Sequence, residues 1–319
     1  MTSPADALTP HAAAAEIGPR PQAARGPWQL AWARLRRDRV AIGSFAVICL
    51  IALLAILAPV VAALVGHGPD TQFRTTGLSP NGIPVGPSGT FLFGTDDLGR
   101  DVFVRVVYGA RISLLVGVVA TGIAIAIGVV VGLAAGYFGR AVDSVLGRFM
   151  DVVLSLPYLI FAIALVSIVG PSLVISIAVI AFFSWASVGR IVRGQVLSIK
   201  EREYVEAARS LGASNLRVMF IDILPNVLAP VIVYATLLIP ISIVFEATLS
   251  FLGIGVVAPT PTWGNMLSEA LPYYSVAWWF VAFPGLALLV TTLAFNLLGD
   301  SVRDAFDPRG AEFLAGGEG

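Results

Sequence analysis

The chain has one cysteine, two histidines and one lysine among 319 residues. A lone cysteine, Cys49, excludes an internal disulfide framework, and with His11 and His67 it offers no His/Cys metal cluster. Set in a hydrophobic run, Cys49 reads as an inert apolar side chain. The single lysine, Lys200, lies between Ile199 and Glu201. It therefore cannot belong to a P-loop, which needs Gly-Lys-Ser/Thr after a glycine-rich turn. His-Glu-x-x-His and Gly-x-Ser-x-Gly are also missing, so the familiar metalloprotease and hydrolase chemistries have no carrier here. Charge is scarce: 13% of residues are charged, against about 25% in soluble domains. The net charge is zero, so no basic surplus points to nucleic acid.

What the chain has is apolar length. Hydrophobic residues make up 57% of it. A spanning helix needs about 20 mostly apolar residues. Uncharged runs occur at Val40–Pro69, Ile112–Gly139, Val152–Gly189 and Ala277–Gly299, and Ile223–Gly255 is interrupted only by Glu246. The run from Val152 is too long for one span and is divided by Gly170-Pro171-Ser172. The pattern predicts an all-α polytopic membrane protein with six transmembrane helices. Placing the N-terminus inside puts sixteen of the 20 basic residues on the cytoplasmic side, as the positive-inside rule requires. Both termini are then expected in the cytoplasm. The first hydrophobic run is longer than a signal-peptide core and reads as a retained helix, with a cleaved signal as the alternative.

This divides the chain into a disordered cytoplasmic tail (1–33), a first transmembrane helix with a basic flank (34–65), and an external loop with a short amphipathic helix (66–111). A five-helix core (112–302) follows, including a cytoplasmic loop (190–225), and then a cytoplasmic tail (303–319). The external loop ends in Gly94-Thr95-Asp96-Asp97-Leu98-Gly99-Arg100-Asp101. Thr95 or Asp96 is placed to cap a helix over Val102–Arg111. A calcium site is the sharper reading of Asp96, Asp97 and Asp101, but the alternating-ligand spacing of a known calcium loop is lacking. The cytoplasmic loop reads as helix, glycine turn, helix. Helix formers run from Lys200 to Leu211, Gly212 is placed for a left-handed stop, Ser214 or Asn215 for a new cap, and Pro225 for a break before the fifth span. Ala207 and Ala208 give the first helix a flat face that another protein could approach. A solvated surface hairpin is the alternative.

That loop resembles the signature of the permease subunits of ABC importers: Glu-Ala-Ala, three residues, Gly, nine residues, Ile, one residue, Leu-Pro. Glu206-Ala207-Ala208, Gly212 and Leu224-Pro225 fall at that spacing, while the isoleucine position is Asp222, with Ile223 beside it. Further stretches are similar to the C-type permeases of dipeptide, oligopeptide and nickel importers. They include Phe93 to Phe103, Tyr108 to Leu114, Ile223-Leu224-Pro225-Asn226, Glu246 to Gly253, Trp263-Gly264, and Asn296 to Arg309. The resemblance covers roughly Trp32 to Arg309.

The resemblance implies a type I importer permease fold in the bacterial cytoplasmic membrane. It also implies a second, homologous permease chain as heterodimer partner, two ATP-binding subunits and an external substrate-binding protein. ATP and Mg would be bound by those ATPase subunits and no cofactor by this chain. Glu203, Tyr204, Glu206, Ala207, Ala208, Ser210, Leu211 and Gly212 would form the ATPase-coupling helix, closed by Leu224, Pro225 and Asn226. Peptides are the expected cargo, with nickel, glutathione or another small solute as alternatives.

Glu246 is the one carboxylate well inside a span, and intramembrane acids face protein or a water-filled cavity. Two readings stand: contact with substrate or a gate, or a structural pair with a helix end or a partner's arginine. Gly128, Gly132 and Gly136 form a small-residue face for close helix packing. Gly253, Gly255 and Ala258 read as a helix end rather than a dinucleotide fingerprint. The rival classes are an ion-coupled transporter or channel and a membrane-embedded enzyme. The first needs more polar or ionisable residues at membrane depth than one acid; for the second, the catalytic motifs are missing and two histidines leave little acid–base chemistry.

Overall fold

The computed structural model describes residues 27–307. The expected C-terminal tail beyond 307, and the N-terminal tail up to residue 26, lie outside the described residues. The part of that tail from 27 onward is helical: α1 (Pro27–Leu35) precedes α2 (Arg39–Ile56) and α3 (Ala58–Val65). Asp38 starts α2 by accepting the Val40 amide at 2.8 Å. Pro59, in the first turn of α3, cannot extend the α2 hydrogen-bond ladder, so the first hydrophobic run breaks at Leu57. Gly66 (φ +78°) then ends it.

α4 (Val102–Phe138) corrects the expectation of a separate amphipathic helix over Val102–Arg111. No proline interrupts the stretch, and the capping group is Asp101, whose carboxylate accepts the Phe103 and Val104 amides. Thr95 and Asp96 do not cap it, because the chain folds back between them and Asp101: Gly99 is left-handed (φ +75°) and Thr95 bridges to Asp101. At about 1.5 Å per residue, the 37 residues of α4 exceed the roughly 30 Å hydrocarbon core. The helix is therefore longer than a single crossing needs.

Two helices fill the third span, α5 (Arg140–Ser155) and α6 (Tyr158–Val169), bent by 85° at Leu156-Pro157. With twelve residues, α6 is too short to cross alone. The described residues thus hold five helices long and apolar enough to span, or six with this bent pair counted as one. α7 (Leu173–Ile199) follows the Gly170-Pro171-Ser172 break, capped by Ser172.

The centre of the bundle is the α4–α7 contact. A Cβ on Gly128 would lie 2.5 Å from Cβ of Val188, one on Gly132 2.8 Å from Cβ of Val192, and one on Gly136 2.7 Å from Cβ of Val196. Glycine and valine thus mesh at every fourth residue, and this interface is the reason for the small-residue face.

The remainder is α8 (Glu203–Ser210), the single turn α9 (Asn215–Arg217), a π-helical stretch Val218–Ile223, and α10 (Leu224–Phe251). Pro225 does not break the chain as expected. It lies in the first turn of α10, where its missing N–H costs little. The wider π turn absorbs the irregularity just before it. Gly253 (φ +75°) closes α10. α11 (Trp263–Ala270) and α12 (Trp278–Phe306) complete the fold.

Candidate functional site

The helix–glycine–helix loop projects from the end of the bundle where α4 stops. Lys200 anchors its start by donating to the Gly136 carbonyl at 3.1 Å. Gly212 adopts φ +83°, a region costly for any residue with a Cβ, and turns the chain between α8 and α9. Ser214 caps the second helix by accepting the Arg217 amide. One side of the hairpin is held down. Val205, Val218, Met219 and Ile223 are buried together, the Asn226 amide donates to the Tyr204 hydroxyl, the Arg209 guanidinium lies 5.0 Å over the Tyr137 ring, and the Tyr137 hydroxyl donates to Asn215 at 2.9 Å.

The other side is bare. Glu203, Glu206, Ala207 and Ser210 are exposed, and Ala208 is half-buried. Leu211 is 89% exposed, and Leu216, Phe220 and Ile221 are exposed as well. Exposed large apolar side chains beside a charged helix are a feature of contact surfaces. Helix α8 starts at Glu203, three residues later than the sequence predicts, with no side-chain cap at Arg202. Ile223, not Asp222, enters the core at 0% exposure. Asp222 keeps one carboxylate oxygen buried without a hydrogen-bond partner. Leu224 and Pro225 open α10 beyond it.

Glu246, five residues before the end of α10, is 0% exposed. One of its oxygens accepts from Ser113 of α4 at 2.8 Å, the other from Ser250 at 2.7 Å. The carboxylate is therefore surrounded by hydroxyl donors of its own chain. It ties α10 to α4, and this geometry favours the structural reading, with serines in place of the expected helix end or partner arginine.

At the far end of α4, the expected external residues converge into one cluster. Asp96 accepts the Leu98 and Arg100 amides and the Arg100 Nε. Arg105 Nε lies 3.3 Å from the same carboxylate. Arg100 and Arg105 both reach Glu269 of α11, at 2.9 and 3.2 Å, and Arg100 stands 3.5 Å from Asp97. Asp101 also binds His67 Nδ1 at 2.7 Å. Asp96, Asp97 and Glu269 come close enough to share a cation. Two guanidinium groups already face these carboxylates, however, so the cluster is an ion-pair network in which the arginines take the cation's place. Burial raises the Glu269 pKa, opposed by Arg105 and Arg100. Burial and the neighbouring Asp96 charge raise that of Asp97. Sequence reading missed Arg105 and Glu269 as members. They lie on different helices 164 residues apart, and nothing local links them.

Comparisons with known proteins agree with this geometry. Residues 128–311 match the family model described as binding-protein-dependent transport system inner membrane component. Residues 26–80 match the N-terminal TM domain of oligopeptide transport permease C. The dipeptide transport system permease protein DppC of Alkalihalophilus pseudofirmus is 42% identical over 283 residues, covering 89% of this chain and 90% of that protein. DppC of Escherichia coli K12 is 44% identical, over 89% and 93%. The oligopeptide transport system permease protein OppC of Bacillus subtilis is 39% identical, over 88% and 90%. Among solved structures, a chain of the inward-facing MetNI methionine ABC transporter shares the fold. Its TM-score is 0.53 at 19% identity, with 63% of this chain and 96% of that one covered.

Proposed function

The chain belongs to the family of binding-protein-dependent transport system inner membrane components, and on that premise we propose that it forms half of the translocation pathway of an ATP-driven peptide importer. The relatives named for dipeptide and oligopeptide transport favour peptides, dipeptides first, as cargo. Nickel, glutathione or another small solute is the alternative within the family. The second half of the pathway is a related permease chain. Solute arrives from an external binding protein, and ATP and Mg are held by two ATPase subunits, since this chain has no phosphate loop of its own.

The observation that carries this reading is the α8 hairpin. Glu206, Ala207, Ser210 and Leu211 project from a short helix whose buried residue is Val205, held also through Tyr204 and Arg209, and ended by a left-handed glycine. An ATPase groove receiving that helix would move α7 and α10, to which the hairpin is joined by Lys200 and by the Leu224-Pro225-Asn226 turn. ATP supplies the directional work, because it binds the closed ATPase state better than the open one, and the spans follow that equilibrium. The hairpin end is the cytoplasmic face, as the sixteen basic residues favour, with both termini on that side.

The test is co-expression with the ATPase subunits and the second permease, followed by reconstitution. Peptide uptake should require ATP and the binding protein. Gly212→Asp or Glu206→Arg should abolish transport-coupled ATP hydrolysis while the chain stays folded. Uptake by the isolated chain down an ion gradient would refute the reading in favour of a secondary transporter.

A further inference from the structure

The segment ahead of the first span forms a surface that the transport cycle does not explain. Helix α1 packs one face on the end of α12: Ala31 is buried, the Trp28 ring meets Phe306 edge-on at 5.1 Å, and Arg34 donates to the carbonyls of Ala305 and Asp307 at 3.2 and 2.9 Å. Those carbonyls end α12 and lack intrahelical donors, so Arg34 is committed to them. Asp38 is committed too, to the start of α2 and to Ser301.

What remains outside is aromatic and basic. Trp32 is 58% exposed, and Trp28 and Leu30 are exposed beside it. Trp28, Trp32 and Arg36 recur every four residues, with the Arg36 guanidinium 4.6 Å over the Trp32 ring. Arg36, Arg37 and Arg39 are all exposed. Among the described residues none of the three has a carboxylate within ion-pair distance. The surface stands where α2, the first membrane-spanning helix, begins. Tryptophan at that depth is stable because its ring is apolar and its N–H is wet. Unpaired guanidinium groups at that depth seek phosphate.

We propose that Trp32, Arg36, Arg37 and Arg39 form a binding surface for anionic phospholipid headgroups, which fixes α1 against the membrane and, through Arg34, holds the end of α12. The charge selects the occupant. A zwitterionic headgroup offers no net attraction to three arginines, and an acidic protein partner would leave Trp28, Leu30 and Trp32 without lipid.

The test uses the full chain in nanodiscs and reads quenching of the Trp32 fluorescence component, taken as wild type minus Trp32→Phe. Brominated phosphatidylglycerol is titrated against brominated phosphatidylcholine. The expected result is half-maximal quenching at a lower mole fraction of phosphatidylglycerol. R37Q should weaken that preference about fivefold, and R36Q/R37Q/R39Q should abolish it. Because the preference is read first on the wild-type residues, poor folding of the triple variant does not rescue the proposal. Equal quenching by the two lipids, or quenching by neither, overturns it.

Discussion

The two ends of α4 solve opposite problems. At one end Asp96, Arg100, Asp101 and Arg105 are buried, and each charge is met by another group of the same chain. At the other end, about 55 Å away along the helix, α8 buries one residue, Val205, and leaves Leu211 almost wholly in the open. The first region is complete in itself. The second is left open, and on the proposed function an ATPase subunit completes it. Burial of charge without pairing costs several kcal/mol per ion, and that penalty forces the network at Asp96 to close on itself. Exposed leucine costs far less, so the hairpin can remain open.

The largest effect should come from breaking the closed end. Asp96→Ala leaves Arg100 and Arg105 buried with one partner fewer. Removing one member of a buried ion pair costs about 3–5 kcal/mol. The expected outcome is a chain that fails to accumulate in the membrane or unfolds at markedly lower temperature. Transport should be lost in proportion to the folded protein remaining. Unchanged thermal stability would mean that the network is not what holds α4 to its loop and to α11.

The second prediction sharpens the comparison from the open end. Leu211→Ser should leave thermal stability within about 0.5 kcal/mol, since exposed sites tolerate substitution. It should nonetheless reduce transport-coupled ATP hydrolysis by about tenfold, the equivalent of roughly 1.4 kcal/mol of lost contact with the ATPase. Gly212→Ala is intermediate. It strains a left-handed position by about 1–2 kcal/mol, and its effect on coupling should exceed its effect on stability.

A third change tests the glycine–valine seam that joins the two ends. Gly132→Leu places a side chain where Val192 and the Gly189 carbonyl already lie. Overpacking of this kind costs about 1–3 kcal/mol. A fall in melting temperature with coupling retained per folded molecule is expected.

The smallest effect is a difference in sign with pH. Glu269 and Asp97 have raised pKa values, so the folded state holds their protons more tightly than the unfolded chain does. Their contribution favours folding below the ordinary carboxylate range and is lost as pH rises through the folded values. Asp38 is lowered, chiefly by its hydrogen bond with Ser301. Its contribution is present above the ordinary carboxylate range and is lost on acidification. Melting curves should therefore show Glu269→Gln gaining on wild type as pH rises from about 4 to 7, and Asp38→Asn gaining as pH falls below about 4.

The hairpin was legible because its punctuation is local. Gly212 and Ser214 carry their backbone preferences wherever they stand, and Glu206-Ala207-Ala208 lies at a recognisable distance from Leu224-Pro225. The spans were legible where a single apolar run makes a single helix, as in α12, or where glycine and proline divide the run, as before α7. α4 was not, because Arg105 and Arg111 interrupt its hydropathy without interrupting its helix. Helix continuity depends on caps and prolines, and the operative cap was Asp101, six residues beyond Thr95. The bend between α5 and α6 was hidden for the converse reason. Asp143, Arg148 and Asp151 made α5 look like a loop, although Asp151 pairs with Arg190 at 2.6 Å and Asp143 with Arg193. The ties from Arg100 and Arg105 to Glu269, and from Ser113 to Glu246, join residues more than 130 positions apart, and no local pattern encodes such pairs.

The contrast between a closed end and an open end is tested most directly by hydrogen exchange on the full chain, alone and assembled with its ATPase subunits. Amides of Glu203–Leu211 should gain protection on assembly while those of Thr95–Arg105 exchange as before. Equal exchange of the hairpin in the two states would contradict it.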